Sequence, residues 1–401
     1  MSYKYYIGLT SQVFFCSIPL RLDTYSQCQF GCVYCFAKAR GGQRGEKKIQ
    51  KAEPNALEAR LERVQEGKIA SAVDEFLMHR TPIQLGAMAD PFPPMETQER
   101  ITQSTIQILN KFDYPFVVST KGEAIAKPAM LDLLATSNGY IRFSASVASP
   151  ELRKRIEPGC SSIDDFFSAI EKVAAIGRPT CLRIQPLLPG FETEAIKLLD
   201  YARNAGVRHI TAEFLKVPIE RSSHQRRSLD EFYGGDVASY YVANGASIVG
   251  REYVLPPSFK GPVLHELKLQ TERRGMRFSY AELEFLHLNS DSTCCNGATR
   301  YLRGAKNFTA NFLGAVKQFS IGQPFSFDDV DWGWVPERSV ETYLNSRSRL
   351  HADEESNRWL AHLRQRWNGM RGSFSPQIFD GIERSFPADD DAGAAVYSRQ
   401  K

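Results

Sequence analysis

The chain contains no apolar run long enough to cross a bilayer as a helix, which takes about 20 residues; charged and polar residues interrupt every such stretch. The opening segment from Ile7 to Leu20 is partly apolar. Thr10, Ser11, Gln12 and Pro19 break it, so it predicts no secretory signal. Excess charge of one sign is also scarce. The 50 Lys and Arg nearly cancel the 46 Asp and Glu, leaving a net charge of +4 with no dominant basic run. That balance permits nucleic-acid contact without arguing for it. Eight cysteines in 401 residues are too few for a disulfide scaffold, and a reducing cytoplasm is the expected compartment.

Three of those cysteines, Cys28, Cys32 and Cys35, fall within eight residues. Their spacing is C-x3-C-x2-C, with Tyr34 just before the third. Iron–sulfur clusters are usually held by four thiolates. Three thiolates on one loop can hold three irons of a [4Fe–4S] cluster and leave the fourth open to a small molecule. Such a cluster is suited to chemistry rather than to electron carriage alone. The competing reading is a zinc knuckle, which needs four ligands, typically in two pairs. No Cys or His follows Cys35 until His79.

Short apolar runs alternate with longer helical patterns, which argues for βαβ units and a parallel sheet. Strands are expected near Ser17–Asp23, Ile83–Met88, Pro115–Ser119, Tyr140–Ser146, Cys181–Gln185 and His209–Phe214. Helices are expected over Pro54–Glu66, Ala70–His79, Glu99–Lys111, Ala129–Thr136, Ser162–Ile176 and Glu194–Ala205. Six units in this order fit an α/β partial (β/α)6 TIM-type barrel. Residues Gly41 to Glu53 read as a glycine-rich mobile loop. Beyond residue 216 the pattern predicts a mostly helical extension over the barrel mouth: helices near Ser228–Asn244, Lys260–Arg274, Arg300–Phe319 and Glu354–Trp367, and a strand near Arg277–Glu282. Three domains are therefore expected: 1–216, 217–385, and a disordered tail over 386–401 with its run of aspartates.

In β/α barrels the active site lies at the C-terminal ends of the strands. Those ends carry the cysteine loop, then Asp90, Ser119 to Lys121, Ser144 and Ser146, Arg183 and Gln185, and Glu213 with Lys216. Asp90 has a second reading as a cap on the turn at Pro91, Pro93 and Pro94.

The cysteine motif resembles that of the radical S-adenosylmethionine (SAM) superfamily. Asp90 to Glu96, Ser119-Thr120-Lys121, Phe143-Ser144, Arg155 to Pro158 and Gln185 to Gly190, in that order, resemble its spore photoproduct lyase-like branch. The resemblance covers residues 17–216. It implies a partial barrel, a [4Fe–4S] cluster on Cys28, Cys32 and Cys35, and SAM bound at the open iron. Reductive cleavage of SAM would then yield a 5′-deoxyadenosyl radical. It also implies a flavodoxin- or ferredoxin-type electron donor, and SAM contacts from Lys121 and Ser144. Tyr34, Asp90, Arg183 and Gln185 are further candidate contacts, and Gly86 would let the backbone approach the cofactor. The substrate stays open between a damaged or modified nucleic acid and a peptide or small metabolite. A cluster-bearing sensor or scaffold without catalysis is the non-enzymatic alternative.

Two adjacent cysteines, Cys294 and Cys295, precede a turn at Asn296-Gly297. They read as hydrogen-atom donors to a carbon radical, as ligands of an auxiliary cluster, or as small buried residues. Cys160 and Cys181 could complete such an auxiliary set if folding brings them close; alone, Cys16, Cys160 and Cys181 read mainly as core. Trp332, Trp334, Trp359 and Trp367 read as packing residues, with base stacking as the alternative.

Overall fold

A computed structural model describes residues 7–37, 48–290, 293–344, 358–369, 374–389 and 393–400. The centre is one mostly parallel sheet. Its strands are β1 (Ile7–Leu9), β2 (Leu20–Leu22), β3 (Ile83–Leu85), β4 (Phe116–Thr120), β5 (Gly139–Ala145), β6 (Thr180–Leu187) and β7 (His209–Phe214). They lie side by side in chain order, β1 antiparallel to β2 and the rest parallel. Helices such as Ile101–Lys111, Ile163–Ala175 and Glu192–Asn204 fill the crossovers. This is a mixed α/β fold of partial-barrel type.

Alternation along each strand sorts the side chains into two faces. On β5, Phe143 packs edge-on against Phe166 of the Ile163–Ala175 helix, so Ile141, Phe143 and Ala145 face the helices. Tyr140 stacks on Tyr301 on the other side, so Tyr140, Arg142 and Ser144 face inward. The neighbouring inward positions are Ser119 on β4, Cys181, Arg183 and Gln185 on β6, and Thr211 and Glu213 on β7, matched by the strand register.

The sheet does not stop at residue 216. After a small sheet of β8 (Val217–Pro218), β9 (Ser247–Val249) and β10 (Glu252–Val254), strand β11 (Arg277–Tyr280) pairs in parallel with β7. The expected helix over Ser228–Asn244 is two helices, His224–Tyr233 and Val237–Ala243, split at the Gly234-Gly235 pair. The expected helix over Arg300–Phe319 is broken too. Ala298–Tyr301 and Phe312–Val316 are separate short helices, the second capped by the Asn311 side chain. The helix Pro150–Ile156, started by a Ser149 cap, was not legible as a periodic run.

The tail expected to be disordered contains paired strands. Strand β14 (Ala395–Arg399) lies between β12 (Pro324–Phe325) and β13 (Ile382–Asp389). Trp367 explains why: its indole N–H donates to Ala395 O at 2.6 Å, and Tyr397 packs against its ring. The start of the Glu354–Trp367 helix lies outside the described residues, as does much of the loop from Gly41; residues 358 to 367 are helical as expected. Trp359 and Trp367 are fully buried, so they lock this region together and cannot stack on bases. Trp334 packs on His79 and Trp332 on Phe327. No helix among the described residues is long and apolar enough to cross a membrane.

Candidate active site

Strand β2 ends at Leu22, and the cysteine loop leaves from its C-terminal end. Two backbone bonds clamp that loop: Val33 N–H to Ile156 O at 3.0 Å, and Gly159 N–H to Phe30 O at 2.9 Å. Gly159 is required here, because a Cβ would stand 2.6 Å from Phe30 O. The turn from Cys32 to Cys35 is closed by the Cys35 N–H on Cys32 O at 3.2 Å. Segment 156–160 thus fixes the loop from above and delivers Cys160, whose thiol shares a hydrogen bond with Cys32.

Glu157 is the hub of the site. Its buried carboxylate accepts from Tyr34 Oη, from Lys121 Nζ at 2.9 Å, from Ser146 Oγ at 3.1 Å and from Arg153 Nη1 at 2.8 Å. Burial pushes this carboxyl up, but Lys121 and Arg153 outweigh it and hold the group below its ordinary value. The loop aromatic, strand β4, strand β5 and the Pro150–Ile156 helix therefore meet on one carboxylate. Cys32 is shifted down, first by the Cys160 hydrogen bond and also by Lys121, while burial opposes. Cys28 is pushed up to about 12 by burial, with the Asp90 charge adding to it.

The other expected residues fall as follows. Asp90 accepts from Phe92 N–H at 2.9 Å, from Thr120 Oγ1 at 2.8 Å and from Lys121 N–H at 2.6 Å, so its carboxylate shapes the proline turn and ties it to β4. Gly86 has φ +82°, and a Cβ there would sit 2.5 Å from Ser119 O; its close approach is to strand β4. Arg183 Nη2 and Gln185 Nε2 both donate to Glu213 Oε2 at 2.6 Å, and Lys216 Nζ donates to Glu213 Oε1 at 2.7 Å. Ser144 is half-buried on the inner face.

The fold does not bring Cys294 and Cys295 to the cysteine loop. Cys294 packs with Val117, Tyr140 and Cys181, low on the strands. Ser146, at the Glu157 hub, is six residues further along the chain than Tyr140, roughly 20 Å of strand. The single S–H of Cys294 is shared between Asn296 Oδ1, 2.8 Å away, and a hydrogen bond to the Cys295 sulfur. That bond, aided by Arg183 and Arg142, brings Cys295 down to about 6 against the effect of burial. Burial pushes Cys294 up. Cys16 lies close enough to Cys295 for the two to feel each other's charge. Sequence reasoning named Glu157 only within the Arg155 to Pro158 motif and Cys160 only as a candidate auxiliary-cluster ligand, and did not single out Arg142 or Cys16 for the site. The pairing of Glu157-Pro158-Gly159-Cys160 with the cysteine loop is long-range, and only the Gly beside the Cys hinted at a close approach.

The three motif thiols suit an iron–sulfur cluster in donor type and chain spacing, and the clamp from segment 156–160 holds their loop at the active end of the strands. Among the described residues no three Cys, His, Asp or Glu side chains are already gathered in a metal-binding arrangement.

Residues 22–202 match the family model described as Radical SAM superfamily. No curated protein matches the chain. Among solved structures, a mutant spore photoproduct lyase with bound AdoMet and dinucleoside spore photoproduct is 18% identical. The match covers 68% of this chain and 80% of that one, at a TM-score of 0.48. A spore photoproduct lyase complexed with dinucleoside spore photoproduct is also 18% identical, over 66% and 77%, at 0.48. SuiB of Streptococcus suis bound to S-adenosylmethionine is 10% identical, over 68% and 53%, at 0.42.

Proposed function

We propose that this chain, whose residues 22–202 match the radical SAM family model, cleaves S-adenosylmethionine reductively and uses the resulting radical on a substrate held inside the partial barrel. Cys28, Cys32 and Cys35 would hold a [4Fe–4S] cluster, which with SAM supplies a 5′-deoxyadenosyl radical able to abstract hydrogen. The observation that carries this reading is the three-cysteine loop held at the C-terminal end of β2 by segment 156–160.

The surrounding residues have separable tasks. Glu157 orients Lys121 and Tyr34 beside the loop. Lys121 has protons to offer the SAM carboxylate, and Ser144 offers a hydroxyl on the same inner face. Asp90 sets the proline turn next to Cys28. Further down, Cys295 lines the inner floor with its pKa brought down, and Cys294 behind it has its own pushed up. Either thiol of this pair, in its protonated form, has a hydrogen atom to give a substrate radical.

The inner face suits a polar substrate. Ser119, Ser144, Arg183, Gln185 and Glu213 face inward and stay partly open to solvent, while the outward Ile141, Phe143, Leu182 and Ile184 are sealed. The burial of Trp359 and Trp367 removes two candidate base-stacking platforms. An external single-electron donor is required, a flavodoxin or ferredoxin in a reducing cytoplasm.

Anaerobic reconstitution with iron and sulfide tests the cofactor assignment. The reading expects about four irons per chain and an electron paramagnetic resonance signal that changes when SAM is added. A signal indifferent to SAM would count against it.

A further inference from the structure

Arg142 lies on the inner face of β5 and is only 6% exposed. Both of its hydrogen bonds, Nε at 3.0 Å and Nη2 at 2.5 Å, go to one neutral acceptor, the Ser119 hydroxyl. Its Nη1 has no partner among the described residues. One step up the barrel, Arg183 pairs with Glu213 through Nη2, while its Nε is likewise buried and without a partner. The two guanidinium groups are near enough for Arg183 to push the Arg142 pKa down, on top of the effect of burial. The Cys295 sulfur stands by both, and its charge favours theirs.

This arrangement is costly in the protein alone. Arg183 is paired with Glu213, but Arg142 has no hydrogen-bonded counter-charge and is offset only by the nearby Cys295 sulfur; burying a cation so poorly paired is penalised by several kcal/mol in general, and buried donors are nearly always satisfied. Both orphan N–H groups are shielded from water, so they are satisfied only if the guanidinium forks shift toward an acceptor inside the barrel. The planar guanidinium fork matches the paired oxygens of a carboxylate or phosphate. The position is also apt: the pair sits midway between the cysteine loop at the mouth and the Cys294–Cys295 floor. An anchor there would leave the rest of a substrate pointing at the radical source.

The geometry points to Arg142 and Arg183 as the anchor of the substrate, binding a compact oxyanion, the carboxylate or phosphate group of a small molecule, inside the barrel. The inference rests on the radical SAM reading for the word substrate, but the binding itself needs no SAM cleavage.

Inorganic phosphate and acetate are the probes, each titrated into the cluster-reconstituted protein at an ionic strength held constant with chloride. Two signals are followed: the melting temperature, and the rate at which iodoacetamide labels Cys295, located by peptide mass spectrometry. The inference expects a saturable rise in Tm and saturable protection of Cys295 by at least one probe. Phosphate acting alone assigns a phosphate-bearing substrate; acetate acting assigns a carboxylate. Arg142→Gln should weaken half-saturation about tenfold, the loss of a charge-assisted contact. Arg142→Lys keeps the charge without the fork and should fall between, which serves if the glutamine variant does not fold. No response beyond chloride in the wild type, or an equal response in both variants, overturns the inference. So does protection of Cys295 by SAM alone that matches the oxyanion, since the site would then be the cofactor's. If the oxyanion fails to bind while 5′-deoxyadenosine still forms, the enzyme class stands and only the anchor falls. Binding without SAM cleavage would mark the reverse failure.

Discussion

Lys121 Nζ stands 2.9 Å from Glu157 Oε1, and that contact ties the end of strand β4 to the segment that clamps the cysteine loop. Glu157 is fully buried and serves three other donors. Removing one partner of a buried pair leaves the other uncompensated, at a cost of about 3–5 kcal/mol. Glu157→Gln should therefore destabilise the protein by roughly that order, read by urea unfolding, and should lower the iron retained after reconstitution. Unchanged stability would mean that Lys121 and Arg153 find other partners.

Acid should weaken the barrel through Glu213. Burial pushes its carboxyl up, but Lys216 and Arg183 outweigh that and hold it at about 2, below the ordinary 4.5. A depressed carboxylate contributes stability that is complete above the unfolded value and is lost as pH falls through the folded one. The loss should therefore run from pH 4.5 to about 2 and amount to roughly 3 kcal/mol. Denaturant titrations of cluster-free protein across this window should show the slope, and Glu213→Gln should flatten it.

The adjacent cysteines should react differently. Cys295 is partly open and brought down to about 6 by the Cys294 hydrogen bond and the two arginines; Cys294 is buried and pushed up. Iodoacetamide labelling of Cys295 should rise with pH through about 6, while Cys294 stays unlabelled up to pH 8. Arg183→Gln should move the Cys295 profile to higher pH. Equal labelling of both thiols would overturn the opposite shifts assigned to the pair.

Cys160 offers a chemical check on the clamp. Its thiol hydrogen-bonds Cys32, so treating cluster-free protein with an exchangeable disulfide should cross-link Cys32 to Cys160, detectable by peptide mass spectrometry. Bound iron should prevent it, because Cys32 would be occupied. A Cys160→Ala variant should still load iron fully, since Cys160 lies outside the three-cysteine motif.

Local chemistry made much of this legible in the sequence. Cys28, Cys32 and Cys35 carry their meaning in spacing alone, and the alternation from Ile83 to Phe214 yields parallel strands in chain order. Asp90 was readable both as a site residue and as a turn cap, and its bonds to Phe92 and Thr120 show the cap. What stayed hidden depends on register. Arg142 becomes informative only when β5 lies between β4 and β6, with Ser119 as its acceptor. Strand β11 joins β7 across a long intervening segment that carries its own small sheet. The tail strands form because Trp367 and Tyr397 meet, a contact no local pattern announces.

The most direct test is product formation. Anaerobically reconstituted protein is reduced with dithionite, given SAM, and assayed for 5′-deoxyadenosine by mass spectrometry. The wild type should form it, and Cys32→Ala and the triple alanine variant at Cys28, Cys32 and Cys35 should not, while keeping their far-ultraviolet circular dichroism. A cluster that binds SAM yet yields no 5′-deoxyadenosine, even with candidate carboxylate and phosphate substrates present, would contradict catalysis and favour a sensor. Full iron and full product in Cys32→Ala would contradict the site itself.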